Sequence, residues 1–266
     1  MSRDIQKIRA ALNEAYEALG QNSRKYRNDY ERFVFTISLI YQIPNVLDLK
    51  ILDVGSGIGI VPIALRSLGC KVEGLDLYIF PENNDDRYAI KKIKNLKQVW
   101  SDYDLTVHNG SVLTEFLSKE IGTFDIVLSE ATLEHQKDPK LFLTSCCNLT
   151  KDGGSYLVTT PNSVKLLQRF RFLFGRSPNW NIEDFFECGE SFTGHWREYT
   201  MKELVYMCTK AGFSVEETYN VNVIASFRNL SFSRKNFNAL VVRISGLFPG
   251  TREMNYLLCK KLMCNR

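Results

Sequence analysis

The chain has 266 residues, and its 34 Lys and Arg residues against 30 Asp and Glu residues give a net charge of +4. This length can bury one α/β core with an appendage, and so small a positive excess does not by itself indicate nucleic-acid binding. The seven cysteines form no C-x-x-C pair, and no stretch approaches the ~18 apolar residues that cross a bilayer. The polar start Met1-Ser2-Arg3-Asp4 is unlike a signal peptide, so we expect reduced thiols and a cytoplasmic location.

Two helical patterns precede the predicted core. Apolar residues recur at three- and four-residue spacing from Ile5 to Leu19, and a second stripe runs from Tyr26 to Tyr41. We therefore predict a helical cap over residues 1–45, followed by a domain that spans 46–266.

Residues 51–77 follow the pattern strand, glycine-rich turn, helix, strand. The apolar run 51–54 leads into glycines at 55, 57 and 59, and a second apolar run ends at Asp76. Glycines let the backbone approach a ligand closely, and an acid about 20 residues further on can accept both ribose hydroxyls. This pattern predicts a nucleoside site.

The dinucleotide fingerprint Gly-x-Gly-x-x-Gly fails here, because the third glycine would fall on Ile60 or on Pro62. The pattern that stands, Asp53-x-Gly55-x-Gly57-x-Gly59, resembles motif I of the class I S-adenosylmethionine-dependent methyltransferases. The resemblance implies S-adenosyl-L-methionine as cofactor, with the glycine turn at its methionine part and Asp76 at its ribose.

Strand and helix patterns alternate through the rest of the chain. Strands are predicted at 105–108, 124–129, 155–159, 214–221 and 256–263, with helices at 139–149 and from the capping box Thr200–Glu203 to Gly212. Gly153-Gly154 predicts a turn before the fifth strand. Alternation of this kind predicts an α/β fold, a Rossmann-like, seven-stranded, mostly parallel sheet flanked by helices, with an insertion over 163–198 after strand 5.

Four further segments resemble the same family, in the family's order. They are Asn109–Val112, where Ser111 stands in place of the usual acid, Ser129–His135 with Asp138-Pro139, Thr160-Pro161-Asn162, and His195–Thr200. The last of these resembles a branch that modifies sugars and glycans. The resemblance implies methyl transfer to an oxygen of a small polar acceptor such as a sugar or glycan precursor, with a nitrogen as the less favoured target. The cofactor contacts it implies are Asp53, Gly55, Ser56, Gly57, Gly59, Asp76, Leu77, Gly110, Ser111, Val112, Ser129 and Glu130.

A hydroxyl acceptor benefits from a base whose pKa is near the working pH, and histidine fits that need best. His135 follows the fourth strand, where ligands bind in open α/β sheets, and His195 lies in the insertion before a capped helix. We predict that one of these two is the catalytic base, and we interpret His108, within a strand, as structural.

A metal site is not expected. Some relatives bind a divalent ion through Glu-x-x-Glu-His, and Glu134-His135 match its end, but the first glutamate falls on Ala131. Glu130 is one residue out of step, which on a helix turns a side chain by about 100°.

Several alternatives stay open. Basic and aromatic residues of the insertion are consistent with a solvated helix face, with a lid over an anionic substrate, or with contact at a membrane surface. Methylation of RNA or protein, and a binding module without catalysis, are the other functions considered. We expect no nucleic-acid partner, and the oligomeric state is open.

Overall fold

The computed structural model describes residues 2–77, 87–113, 120–177, 179, 181–189, 192–223, 240–241, 243–248 and 250–263. The strands are β1 (Lys50–Val54), β2 (Lys71–Asp76), β3 (Val107–Asn109), β4 (Phe124–Glu130), β5 (Thr150–Pro161), β6 (Phe213–Val221) and β7 (Met254–Lys261). The α-helices include α1 (Ser2–Leu19), α2 (Tyr30–Tyr41), α3 (Ile60–Ser67), α4 (Arg87–Asp102), α5 (Pro139–Leu149), α6 (Leu166–Leu173), α7 (Ile182–Cys188) and α8 (Met201–Lys210).

The described strands form one seven-stranded sheet in the order β3-β2-β1-β4-β5-β7-β6. The strands from β3 to β5 pair in parallel, whereas β7 runs antiparallel to both β5 and β6. The predicted fold is confirmed. Strand order reverses between β1 and β4, and the crevice at the carboxyl ends of two such strands is where open α/β sheets bind ligands.

Each face of the sheet has its own hydrophobic core. Ile51 of β1 lies in the core that includes residues of α1 to α4, whereas its neighbour Leu52 lies in the core that includes residues of α5 and α8. Successive residues of a strand point to opposite faces, so a central strand covered on both sides is apolar throughout. This explains why Ile51 and Leu52, on opposite faces, are both apolar and fully buried.

The N-terminal helices pack against the core described first. Ile8 and Leu12 of α1 and Ile37 of α2 are fully buried, in the same cluster as Ile63 of α3. A 3₁₀ segment, Gly20–Asp29, joins α1 to α2, and the hydroxyl of its buried Ser23 donates to the carbonyl oxygen of Tyr16. The cap therefore lies against the helix that follows the glycine turn.

The structure differs from the predicted elements in a few places. The third strand begins at Val107, not at residue 105, because Asp104 has a positive φ of 51° and the Leu105 amide still donates to Trp100 of α4. Helix α4, and α6 and α7 within the insertion, were not predicted as elements. Residues 151–154 belong to β5, where the pairing with β4 jumps from Thr150 to Ser155.

The predicted capping box is confirmed at the start of α8. Thr200 and Glu203 form the capping box, since the Thr200 amide donates to Glu203 Oε2 at 2.8 Å and the Glu203 amide donates to Thr200 Oγ1 at 3.3 Å.

Among the described helices, none combines the length and the apolar character needed to cross a bilayer.

Candidate active site

The glycine turn after β1 packs tightly against the segment after β4. Gly55, Gly57 and Gly59 have φ values of 80°, 57° and 89°, which residues with a Cβ rarely adopt. A Cβ on Gly55 would lie 2.3 Å from Thr132 Oγ1, and one on Gly59 would lie 2.8 Å from Trp100 Nε1. Packing within the chain therefore requires glycine at both positions, whatever ligand the turn holds.

Asp76 lies at the carboxyl end of β2 and faces this turn. Its buried carboxylate accepts a hydrogen bond from the Gly57 amide at 2.8 Å, and its carbonyl oxygen accepts one from the Gly110 amide at 3.2 Å. The predicted ribose-binding acid is thus held against the predicted methionine-binding turn and beside the predicted adenine segment.

Asp53 and Ser56 supply polar atoms that the described residues leave unpaired. Asp53 Oδ1 and Ser56 Oγ are buried without a hydrogen-bond partner in the described part of the chain. Burial, together with the nearby Glu130 and Asp76, raises the pKa of Asp53 well above its ordinary value, which favours the protonated form of its carboxyl group. Buried polar atoms without partners are rare, and a polar ligand at this turn would satisfy them.

Arg32 of α2 is a site residue that the sequence did not reveal. Its Nε lies 3.0 Å from Glu130 Oε1 at the end of β4, and Thr36 Oγ1 donates to Glu130 Oε2 at 2.5 Å. Arg32 also pairs with Asp29 at 3.4 Å. The available signal was an arginine beside the apolar stripe of α2, a position that is ordinarily exposed.

This ion pair counteracts the effect of burial on the pKa of Glu130. Burial raises the pKa of Glu130, and the charge of Arg32 and the hydrogen bond from Thr36 oppose that rise. The cap thus brings a cation to the carboxyl edge of the sheet, where Asp53, Asp76 and Glu130 are all buried.

The remaining predicted cofactor residues lie in varied environments. Leu77 is exposed, Val112 is buried, and Ser111 Oγ accepts from the Leu113 amide at 3.2 Å. Ser129 Oγ is hydrogen-bonded to the Tyr156 hydroxyl at 2.8 Å inside the core, so Ser129 faces the site only through its backbone.

His135 and His195 meet at this edge of the sheet. Their ring centroids are 4.8 Å apart, with the rings nearly perpendicular. His135 Nδ1 lies 2.9 Å from the Thr193 carbonyl oxygen and 3.1 Å from that of Gly194. A carbonyl only accepts, so Nδ1 carries the hydrogen and the lone pair of neutral His135 is on Nε2. Desolvation lowers the pKa of His135, and His195 lowers it further.

His195 is oriented by a carboxylate. Its Nδ1 lies 3.1 Å from Glu198 Oε1, and Glu198 Oε2 lies 3.5 Å from Lys165 Nζ. Burial opposes ionisation of Glu198, but its bond with His195 and the charge of Lys165 outweigh that effect, so the pKa of Glu198 is lowered. An ionised Glu198 holds the hydrogen of His195 on Nδ1, which leaves Nε2 as the nitrogen that can take a proton.

Glu134 directly precedes His135 and lies close to His195 in the folded chain. Its carbonyl oxygen accepts from the Trp196 amide at 2.8 Å, which ties the His195 segment to the turn Leu133–His135. Its buried carboxylate accepts no hydrogen bond of normal geometry from the described residues. Burial raises the pKa of Glu134 to about 7, against the opposing effect of His195.

Among the described residues, these three side chains form a group that could hold a metal ion. Glu134, His135 and His195 each offer one ligand atom, and these atoms lie within 4.8 Å of one another. Glu130, the out-of-step glutamate, is engaged by Arg32 and Thr36 instead. Ala131 has a positive φ of 50°. It stands at the position where metal-binding relatives have the first glutamate of Glu-x-x-Glu-His.

His108 lies away from this group. Its Nε2 is 2.6 Å from Glu73 Oε2, on the neighbouring strand β2. This pairing agrees with a structural histidine.

A family profile described as a methyltransferase domain matches residues 5–218. The chain belongs to this methyltransferase family. The resemblance to class I S-adenosylmethionine-dependent methyltransferases is thereby confirmed at the level of family and fold, and S-adenosyl-L-methionine is the cofactor that goes with it.

Curated relatives of the chain include the human mitochondrial ubiquinone biosynthesis O-methyltransferase. It is 32% identical over 143 residues, which are 52% of this chain and 37% of the human protein. The Colwellia psychrerythraea ubiquinone biosynthesis O-methyltransferase is 32% identical over 120 residues, 44% of each chain. The matched part of the chain thus spans less than half the length of these curated relatives.

Solved structures share the fold of this chain. An S-adenosylmethionine-dependent methyltransferase from Mesorhizobium loti matches with a TM-score of 0.53 at 15% identity, over 88% of this chain and 98% of that one. Haemonchus contortus phosphoethanolamine N-methyltransferase 2, in complex with S-adenosyl-L-methionine, matches with a TM-score of 0.52 at 18% identity, over 96% of this chain and 57% of that one.

The burial of Glu134 predicts a pH-dependent stability. The pKa of Glu134 is about 7 in the folded chain against 4.5 ordinarily, so between these pH values the folded chain binds more protons than the unfolded chain. Its contribution to stability is therefore lost as pH rises. The free energy of unfolding, measured with urea, should therefore decrease between pH 5 and pH 8. In Glu134→Gln this decrease should be about 2 kcal/mol smaller than in the unchanged chain. The exposed Glu183→Gln is the control, and an identical pH dependence in Glu134→Gln would contradict the assignment.

Proposed function

We propose that this chain is an S-adenosyl-L-methionine-dependent methyltransferase that acts on a hydroxyl oxygen of a small polar acceptor, with a histidine as base. The observation that carries the proposal is one shared edge of the sheet. The glycine turn with Asp76 lies at the end of β1 and β2, and His135 and His195 meet beyond the end of β4. Family membership and the names of the O-methyltransferase relatives support the reaction.

The cofactor would be held by residues of the first three strands. Asp76 fits the ribose hydroxyls, and the segment 110–112 fits the adenine end. The glycine turn, with Asp53 and Ser56, fits the methionine end. Arg32, which pairs with Glu130, is the cation that we expect to stabilise the carboxylate of the cofactor's methionine part. When bound, S-adenosyl-L-methionine supplies an electrophilic methyl group on a sulfonium.

The protein's part in methyl transfer is alignment, exclusion of water and removal of a proton. An in-line displacement requires the acceptor oxygen to be held in line with the methyl group. We assign proton removal to His195, because Glu198 fixes its tautomer and stabilises the positive charge that forms when Nε2 takes the proton. His135, held by two backbone carbonyls, positions the acceptor from the facing side.

The acceptor class rests on two supports of different kinds. The curated relatives carry the name of ubiquinone biosynthesis O-methyltransferases, which supports oxygen of a small molecule as the target. The segment His195–Thr200 resembles enzymes that act on sugars, and we keep a sugar or glycan precursor as the proposed acceptor. A cytoplasmic location is likewise our proposal from the sequence.

We propose a reaction without a metal, since backbone carbonyls and Glu198 hold the hydrogens of the two histidines on Nδ1 and leave each Nε2 able to accept a proton. The unpartnered Glu134 carboxylate favours a second mechanism, in which Glu134, His135 and His195 bind a divalent ion. The two mechanisms give opposite results when metal is removed.

Asp76→Ala should weaken binding of the demethylated cofactor, S-adenosyl-L-homocysteine, by at least about tenfold, because the ribose hydroxyls lose a charged acceptor. Isothermal titration calorimetry measures the change. Asp184→Ala, at an exposed acid of α7, is the control. Equal affinity in Asp76→Ala and the control would remove the ribose assignment.

His195→Ala should lower kcat by about 10²- to 10⁴-fold, the usual contribution of a general base. The assay follows release of S-adenosyl-L-homocysteine with sugars and phenols screened as acceptors. Glu198→Gln should lower kcat less and change the pH profile, while leaving affinity for the demethylated cofactor intact. Full activity in both variants would exclude His195 as the base.

Dialysis against EDTA should leave turnover unchanged if the reaction needs no metal. Activity that disappears with EDTA and returns with Mg²⁺ or Zn²⁺ would assign the cluster of Glu134, His135 and His195 to a metal ion instead.

A further inference from the structure

Helix α6, in the insertion, turns its apolar side away from the protein. Leu167, Phe170 and Leu173 recur every three residues and are 41%, 40% and 73% exposed, and Phe174 directly after them is 74% exposed. The buried residue of the helix is polar: Gln168 is 7% exposed. At about 100° per residue, Gln168 lies on the side opposite the apolar stripe. This is the reverse of a helix that packs on a protein core.

Arginines flank the stripe on both sides. On the same helical geometry, Arg169 and Arg171 lie about 100° to either side of the stripe's centre, and both are exposed. Arg176 follows, also exposed, and no Asp or Glu occurs between residues 162 and 182. An apolar face bordered by arginines fits the boundary of a bilayer, where chains bury the apolar side and charged heads meet lipid phosphates.

A second exposed apolar pair lies in a segment tied to the start of this helix. Leu247 and Phe248 are 76% and 54% exposed. Thr251 Oγ1 donates to the Phe248 carbonyl oxygen, and the Thr251 carbonyl oxygen accepts from the Leu166 amide at 2.8 Å. A second pair of exposed apolar side chains, from a distant part of the sequence, is therefore held by a backbone hydrogen bond near the start of α6.

The size and charge of the stripe favour a lipid surface over a second copy of the chain. A helix of eight residues is about 12 Å long, and a stable protein interface buries about 800 Å² on each partner. A second copy would also bring like charges together, whereas an anionic bilayer neutralises them. The neighbouring α7 carries Glu183, Asp184 and Glu187, so the basic surface is confined to α6.

The helix is also connected to the candidate active site. Lys165, immediately before α6, pairs with Glu198, which pairs with His195. Phe185 of α7 packs with Phe192 and Trp196, with ring centroids 5.1 Å and 5.5 Å away, on either side of the His195 segment. A surface that holds α6 is therefore linked, through Lys165 and Glu198, to the candidate active site.

We propose that α6, with Leu247 and Phe248, is a docking surface for anionic lipid bilayers, and that it brings the candidate active site to the membrane surface. Docking is peripheral: the phenylalanines enter the boundary between headgroups and acyl chains, and the arginines contact phosphates. This inference does not depend on the reaction that the site performs.

The test is co-sedimentation of the full chain with vesicles of phosphatidylcholine, either alone or with about 30 mol% phosphatidylglycerol. We expect binding at least about tenfold tighter to the anionic vesicles, weakened as salt rises from about 0.1 M to about 0.5 M. Phe170→Ser with Phe174→Ser, and separately Arg171→Glu with Arg176→Glu, should each lower vesicle binding by about tenfold or more.

Matched variants lie on other surfaces of the chain. Leu262→Ser changes a leucine that is 54% exposed, and Lys7→Glu with Lys94→Glu reverses two exposed lysines on α1 and α4. These controls should bind vesicles like the unchanged chain. Affinity of every variant for S-adenosyl-L-homocysteine should also be unchanged, which separates loss of docking from loss of fold and from failure of the proposed function.

Three results would overturn the proposal. They are equal binding of the α6 variants and the controls, no preference for anionic vesicles, and α6-dependent dimers in analytical ultracentrifugation without vesicle binding. The last result would assign the stripe to a second copy of the chain.

Discussion

The geometry of the candidate site depends on how closely the turn after β1 approaches the segment after β4. Gly55 has no room for a Cβ, because Thr132 occupies that space, and Thr132 Oγ1 donates in turn to the Val54 carbonyl oxygen at 3.2 Å. This contact joins the two strands at which the sheet order reverses. Glu134 and His135 follow within three residues of Thr132, so the same contact places them near the predicted cofactor turn.

A second constraint is the concentration of buried acids at this edge. Asp53, Asp76, Glu130 and Glu134 are each less than 10% exposed, and burying ionised carboxylates without partners is costly. The protein answers differently at each position. Glu130 receives Arg32 from the cap, Asp76 accepts the Gly57 amide, and the raised pKa values of Asp53 and Glu134 reflect burial that favours the protonated form. The cap is therefore part of the site's electrostatics, and removal of Arg32 would leave Glu130 without its cation.

Local patterns predicted those parts of the structure that local physics controls. The glycine turn, the capping box at Thr200 and the alternation of apolar strands with helices all depend on residues within a few positions of one another. They were enough to predict the sheet, its insertion after β5 and the approach of the cofactor residues. Helix α6 was missed because its apolar residues face outward, so the pattern that marks a core-packed helix describes a surface instead. Ser129 was assigned to the cofactor from its place after β4, but its hydroxyl is turned into the core towards Tyr156.

The sequence by itself determined the family, the cofactor class and the two histidines to be considered, because these depend on residue types at fixed spacing. Only the tertiary structure decided that His135 and His195, 60 positions apart, have rings 4.8 Å apart, and that Glu198 and the carbonyls at 193 and 194 orient them. It likewise brought Arg32 to Glu130, across almost 100 residues. Such contacts follow from strand order and from the packing of the cap and the insertion on one edge of the sheet, and no local spacing in the chain encodes that arrangement.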